Sequence, residues 1–385
     1  MNVPSRPTTG GRFAALLSVV ALVVAACGAG ASPAPTTAPT AAPTEGPTAA
    51  PTPAPTPEKP SGKIVVSNWD LYFPPDLIAN FTAETGVEVE WSKHTTNEDI
   101  VGKLDASNGT GFDIVFVSAP FAEGLNNRGW AETLDHGRLA NIGNLAPEAD
   151  KLGYDPGNTF SVPYTWGTTG LCYRSDVVSF TPSSWNDMLQ PKPELEKKMT
   201  ALATDRWLLL PALKSLGYSV NETDPAHLDE AKALLIEAKK HLLAYDDTTF
   251  YSKLVSGDAS LVVAWDGWCN YGIAENADIK FIVPSEGSDL WSDTMVVLKS
   301  SGNKTAAYAF IDYILRPDVA KTVVDLTLYK VPNPAAMALV DAATMTAFPN
   351  LGMSPADLLK GEPERDLGDA APAWAQLVAE ITAGQ

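Results

Sequence analysis

Lys63-Ile64-Val65-Val66-Ser67-Asn68, Val87-Glu88-Val89-Glu90-Trp91 and Phe112-Asp113-Ile114-Val115-Phe116-Val117 decide the fold. The first and third are apolar runs of the kind that fill a buried strand, and the second alternates Val with Glu. Between the first two, Pro74-Pro75 opens a helix that ends at Gly86 and carries Leu77, Ile78 and Phe81 on one face. Between the second and third, Asn97 is the expected cap of a helix bearing Ile100, Val101 and Leu104. A short helix to Gly129 follows the third strand. Strand and helix alternating in this order give an α/β fold with a parallel, doubly wound sheet. Such sheets bind ligands beyond the carboxyl ends of their strands. The loops Asn68 to Phe73 and Ser118 to Phe121 are therefore the first expected site.

A second alternating series begins near Tyr164. Gly170 to Tyr173 and Met199 to Ala203 read as strands, with a short helix at Ser184 to Gln190 between them. Arg206 to Leu216 reads as a helix broken or bent at Pro211. The clearest helix is Pro225 to Leu243, capped by Asp224, with Leu228, Ala231, Leu235, Ala238 and Leu242 at helical spacing. Leu261 to Trp265, Ile279 to Val283 and Met295 to Leu298 are strands, and helices follow at Thr305–Leu315 and Asp318–Leu326. The remaining tail to Gln385 is helical in pattern and is expected to wrap the body.

The N-terminal segment differs from everything after it. Arg6 and Arg12 precede an apolar run from Phe13 to Ala26, followed by Cys27. A run of about 14 residues is short of the roughly 20 that a spanning helix needs, so it reads as a removable export signal. Ser32 to Pro60 is almost wholly Pro, Thr and Ala and has no pattern that could bury a core. As a stiff spacer it would reach up to about 90 Å. Small residues leading into Cys27 resemble the lipobox of bacterial lipoproteins, in which that Cys becomes the lipid-bearing N-terminus. The alternative is an ordinary signal peptide with a chance Cys. The chain then divides into a signal over 1–26, a lipidated Cys and tether over 27–60, a first lobe over 61–164, a second lobe over 165–290, and a return to the first lobe with C-terminal helices over 291–385.

A formal net charge of −19 disfavours nucleic acid as a partner. Acidity alone more often serves solubility than it attracts cationic ligands. Apart from Cys27, the cysteines are Cys172 and Cys269, and their separation in sequence does not decide whether they pair. The four His are scattered, with no metal-binding spacing. No HExxH, GxSxG, P-loop or GxGxxG is present, so neither an enzyme nor a cofactor is expected. A carboxylate pair for glycoside hydrolysis stays open, because acids are abundant and nothing singles one pair out.

The distinctive feature is aromatic residues beside acids near strand ends. Asn68-Trp69-Asp70-Leu71-Tyr72 follows the first strand, Trp265-Asp266-Gly267-Trp268 follows a core strand, Trp291-Ser292-Asp293 lies between strands, and Tyr329 precedes Pro332-Asn333. Any one Trp could be core filler. Repeated Trp next to Asp instead suits an ammonium, since ring faces attract cations and carboxylates accept their hydrogen bonds.

The body resembles the polyamine-binding proteins of bacterial ABC importers, which have the type II periplasmic-binding fold. Asn68-Trp69-Asp70-Leu71-Tyr72-Phe73-Pro74-Pro75, Thr85-Gly86-Val87, Tyr164-Thr165-Trp166-Gly167, Leu216-Gly217-Tyr218-Ser219 and Leu315-Arg316-Pro317-Asp318-Val319-Ala320 carry the resemblance, in order, from about Lys63 to Ala336. It implies two doubly wound lobes, hinged near Tyr164–Gly167 and Ser288–Asp293, closing on a small cationic amine such as spermidine or putrescine. It implies ring contacts from Trp69, Tyr72, Trp265, Trp291 and Tyr329, an ammonium held by Asp293, and Ser118 on the floor. It also implies a membrane permease and its ATPase as partners, delivery outside the membrane from a lipid on Cys27, and action as a monomer.

Two departures stand out. Ser118-Ala119-Pro120-Phe121 lacks the family's Tyr-bearing segment, and Thr204 and Trp207 occupy positions that are usually acidic, with Asp205 between them. Asp266, from a different strand end, is the expected substitute, or else the ligand carries one cation rather than two or three. A different small amine, an amino-acid-like solute or a sensory surface lipoprotein are the alternatives, and neighbouring permease and ATPase genes would separate the last from an importer.

Overall fold

The computed structural model describes residues 59–383. The expected signal, Cys27 and the tether lie outside the described residues. In chain order the strands are β1 (Lys63–Trp69), β2 (Glu88–His94), β3 (Ile114–Ser118), β4 (Val162–Gly167), β5 (Thr169–Arg174), β6 (Met199–Ala201), β7 (Ala244–Tyr245), β8 (Leu261–Trp265), β9 (Ile279–Ile282), β10 (Asp289–Val297) and β11 (Glu362–Pro363).

They form two sheets. The first runs β11-β10-β3-β1-β2, with β4 also paired to β10. The second runs β7-β6-β8-β5-β9. Each sheet is flanked by helices, which is the α/β arrangement the alternating pattern predicts. In the first sheet β1 is parallel to β2 and β3, while β10 returns antiparallel to β3. Apolar strands bury themselves between helices: every residue of β3 is buried, and Phe116 packs edge-on against Phe73 at 5.1 Å.

Several elements differ from the sequence reading. The helix at Leu77–Thr85 starts two residues after Pro75 and ends on Gly86 at φ 77°, a left-handed cap. Thr96, not Asn97, caps Asn97–Ser107, accepting the Asp99 N–H at 3.2 Å. The helix Asp205–Ser215 runs through Pro211 rather than breaking there. The helix from Pro225 ends at Lys239; Leu228, Ala231, Leu235 and Ala238 are its buried stripe, and the chain then turns into β7. Trp291-Ser292-Asp293 lies within β10 rather than between strands, because β3 and β4 pair with both of its sides. Cys172 and Cys269 form a disulfide, joining β5 to the helix Asp266–Glu275.

The chain passes between the sheets at Thr168, directly between β4 and β5, and again between β9 and β10. These two crossings are tied side by side. The Asp289 carboxylate accepts the Thr169 N–H at 2.7 Å and the Thr169 hydroxyl at 2.8 Å, and the Ser288 hydroxyl donates to the Thr169 carbonyl at 2.6 Å.

Candidate binding cleft

The carboxyl end of β3 lies beside β10, with β1 next to β3, and that junction gathers most of the aromatic and acidic residues singled out in the sequence. Asp293 on β10 is in register with Ser118 at the end of β3 and with Thr165 on β4. The Ser118 hydroxyl donates to Asp293 Oδ1 and the Tyr72 hydroxyl to Asp293 Oδ2, each at 2.7 Å. Asn97 sets Ser118 in place: it accepts the Ser118 N–H at 2.9 Å and donates to its hydroxyl oxygen at 3.1 Å. That leaves the Ser118 proton for the carboxylate. Tyr72 Oη also bonds the Thr165 hydroxyl at 2.7 Å, and the Tyr164 hydroxyl donates to the Tyr72 carbonyl at 2.7 Å. The turn that delivers Tyr72 passes through left-handed backbone at Leu71, φ 58°.

Burial pushes the Asp293 pKa up, while the hydroxyls of Tyr72, Ser118 and Thr165 pull it down. Hydroxyl donors orient the carboxylate without cancelling its charge. Around it stand rings in edge contact: Trp69 on Tyr72 at 5.5 Å, Tyr72 on Tyr329 at 6.4 Å, and Trp291 on Tyr329 at 4.9 Å. His94 backs Trp69 at 4.7 Å, and burial lowers its pKa to about 4, so the ring beside the cleft is neutral at pH 7. Trp265 belongs to the second sheet, in register with Thr169 of β5. It packs on Trp207 at 5.0 Å, within a ring cluster of the second sheet that includes Phe250 and Trp268.

Asp266 has a partner of its own. It is 1% exposed and forms an ion pair with Lys330, itself 3% exposed. The Asp266 carboxylate also accepts the Gly267 N–H at 3.0 Å, and Asn350 donates to the Asp266 carbonyl at 3.1 Å. Two glycines make this packing feasible. A Cβ on Gly167 would lie 2.3 Å from the Trp291 ring and 2.4 Å from Asp266 Oδ1, and one on Gly267 would lie 1.9 Å from the Tyr329 ring. The expected substitute for the missing family acid is thus engaged by an ammonium of the same chain.

Sequence reasoning passed over Thr165, Asn97, Asp289, Lys330 and Glu364. Asp289 was legible: Asp289, Trp291 and Asp293 alternate, so one strand carries all three on one face. It accepts the Trp207 indole N–H at 2.9 Å, which fixes the ring standing at a position expected to be acidic. Glu364 lies in the C-terminal segment, where nothing in the local pattern marks it. Among the described residues, no cluster of three or more His, Cys, Asp or Glu is placed to hold a metal ion, and no helix is long and apolar enough to cross a membrane.

Two lobes, each a sheet with its helices, with rings and a carboxylate at their junction, define the type II fold of periplasmic binding proteins. The family model described as bacterial extracellular solute-binding protein matches residues 76–351, and the chain belongs to that family. It is similar to the spermidine/putrescine-binding periplasmic protein of Salmonella typhimurium, 32% identical over 83% of this chain and 91% of that one. Among solved structures it resembles the spermidine/putrescine ABC transporter substrate-binding protein PotD of Streptococcus pneumoniae, with a TM-score of 0.72, 29% identity, and coverage of 83% of this chain and 98% of that one. It also resembles the TpPotD lipoprotein of Treponema pallidum, with a TM-score of 0.73, 25% identity, and coverage of 83% and 99%.

Proposed function

We propose that this chain is the substrate-binding component of an ABC importer, and that it captures a cationic alkyl amine of the polyamine class outside the membrane. The observation that carries this reading is Asp293: a carboxylate oriented by neutral hydroxyls and walled by Tyr72, Trp291 and Tyr329. An ammonium supplies what that carboxylate lacks, and the rings accept the alkyl chain and the edge of the charge. The names of the Salmonella and Streptococcus relatives support the same ligand class.

The function follows as capture rather than catalysis. The crossings at Thr168 and Ser288 act as the hinge, the lobes close on the amine, and loss of water strengthens each carboxylate–ammonium pair. The closed form is presented to a permease served by an ATPase. Lipid on Cys27, with the Pro/Thr/Ala segment as spacer, tethers the monomer to the outer face of the membrane; the Treponema lipoprotein supports this by analogy. Titration calorimetry of the protein with spermidine, putrescine, choline and neutral amino acids tests the reading. Binding of a polyamine, with a rise in melting temperature by linkage, is expected. Failure of every amine to bind, while a neutral amino acid does, would overturn it.

A further inference from the structure

The acids around the cleft differ in what they already hold. Asp266 is paired with Lys330, and Asp289 accepts two bonds from Thr169 and one from Trp207. Asp293 is held by hydroxyls. Glu364 is 2% exposed, and its Oε2 has no hydrogen-bond partner among the described residues. A buried carboxylate oxygen without a donor is costly.

Its position follows from the sheet. β11 runs parallel to β10, with Glu362 beside Asp289 and Pro363 beside Leu290. The Glu364 N–H donates to the Leu290 carbonyl at 3.4 Å, which continues the ladder by one residue. Glu364 therefore falls beside Trp291, and alternation places it on the face shared by Asp289, Trp291 and Asp293. Glu362, two residues earlier on the same face, reaches the second lobe, accepting from the Val220 N–H and from Lys214, each at 3.1 Å. Glu364 thus stands on the side of β10 that faces across the junction.

We infer that Glu364 is a second ammonium-binding carboxylate of the cleft, which selects an alkyl diamine over a monoamine; this rests on the amine reading above. Burial and repulsion from Asp289 and Asp293 push its pKa up to about 8, with Arg206 opposing them. A cation arriving at Glu364 relieves both the desolvation and the repulsion. The neutral side chains Thr204 and Trp207 leave this job to the C-terminal segment.

The test titrates putrescine and butylamine calorimetrically against the full chain, Glu364→Gln and Glu364→Asp. Wild type is expected to favour putrescine. Glu364→Gln should lose about tenfold or more in putrescine affinity and keep its butylamine affinity with no fall in melting temperature, and Glu364→Asp should regain part of the preference. Glu364→Gln binding putrescine as tightly as wild type overturns the inference and leaves the amine reading intact. Equal losses for both amines with a lower melting temperature assign Glu364 a structural role and also overturn it. Wild type that binds neither amine overturns the amine reading, and this inference with it.

Discussion

Asp266 and Asp293 look alike in sequence and are opposites in structure. Asp266 follows Trp265 directly at the end of β8 and is buried, whereas Asp293 lies two residues from Trp291 within β10 and is half-buried. Asp266 faces Lys330, so its charge is cancelled within the protein. Asp293 accepts from the neutral hydroxyls of Tyr72 and Ser118, which orient the carboxylate without pairing it to a cation. The first arrangement holds two segments together, β8 with the chain after Tyr329. The second leaves a carboxylate whose best partner is a cation from outside. A motif of ring plus acid therefore locates a cleft, but the donor type opposite the acid decides whether it can bind.

Substitutions should split the pair cleanly. Asp266→Asn strands the buried Lys330 ammonium, and should destabilise the protein by about 3–5 kcal/mol. Thermal unfolding checks this. Asp266→Asn combined with Lys330→Met should recover much of the loss, since both charges are gone; no recovery would mean the pair is not the source of the effect. Asp293→Asn has the reverse profile. It should weaken a polyamine by about 2–5 kcal/mol, roughly 30-fold or more, because one charge-assisted pair in a closed cleft is lost. The melting temperature of the empty protein should change little. If it falls sharply while affinity holds, Asp293 is structural and the contrast with Asp266 collapses.

The pH dependence extends the contrast to Glu364. Its acid is raised to about 8 by burial and by Asp289 and Asp293 on β10, against Arg206 on the helix Asp205–Ser215. A folded acid raised above its unfolded value keeps its proton while the unfolded chain loses it. Its contribution to stability therefore falls as pH rises between about 4.5 and about 8, at up to about 1.4 kcal/mol per pH unit. Unfolding of the empty protein across that window should show this slope in wild type and not in Glu364→Gln. The same sign makes amine binding release a proton near pH 7, seen as buffer-dependent binding heat. The smallest expected effect is Tyr72→Phe. It removes one hydroxyl from Asp293, and should cost about 0.5–1.5 kcal/mol of affinity without altering the charge at the site.

Much of the architecture was legible because it is written in local patterns. β1 and β3 are apolar runs, the helix stripe at Leu228, Ala231, Leu235 and Ala238 repeats at helical spacing, and Gly86 ends its helix. Strand ends then marked Trp69, Tyr72 and Ser118. Pro211 left a break or a bend open, and the helix runs through it without a break. β11 was invisible: a two-residue strand containing Pro363 has no pattern of its own, and exists because β10 offers it an edge. Glu364 was invisible for the same reason.

Sequence alone determined the two alternating series, the aromatic and acidic residues at strand ends, and a body suited to two lobes. Those features rest on periodicity and on residue chemistry, both of which act within a few positions along the chain. Only the tertiary structure decided which carboxylates keep their charge available. Lys330 reaches Asp266 across 64 positions, Tyr72 reaches Asp293 across 221, and β11 carries Glu364 to β10 from the far end of the body. The field at a carboxylate is set by whatever donors and charges are brought within a few ångströms of it, and that proximity is a property of the fold.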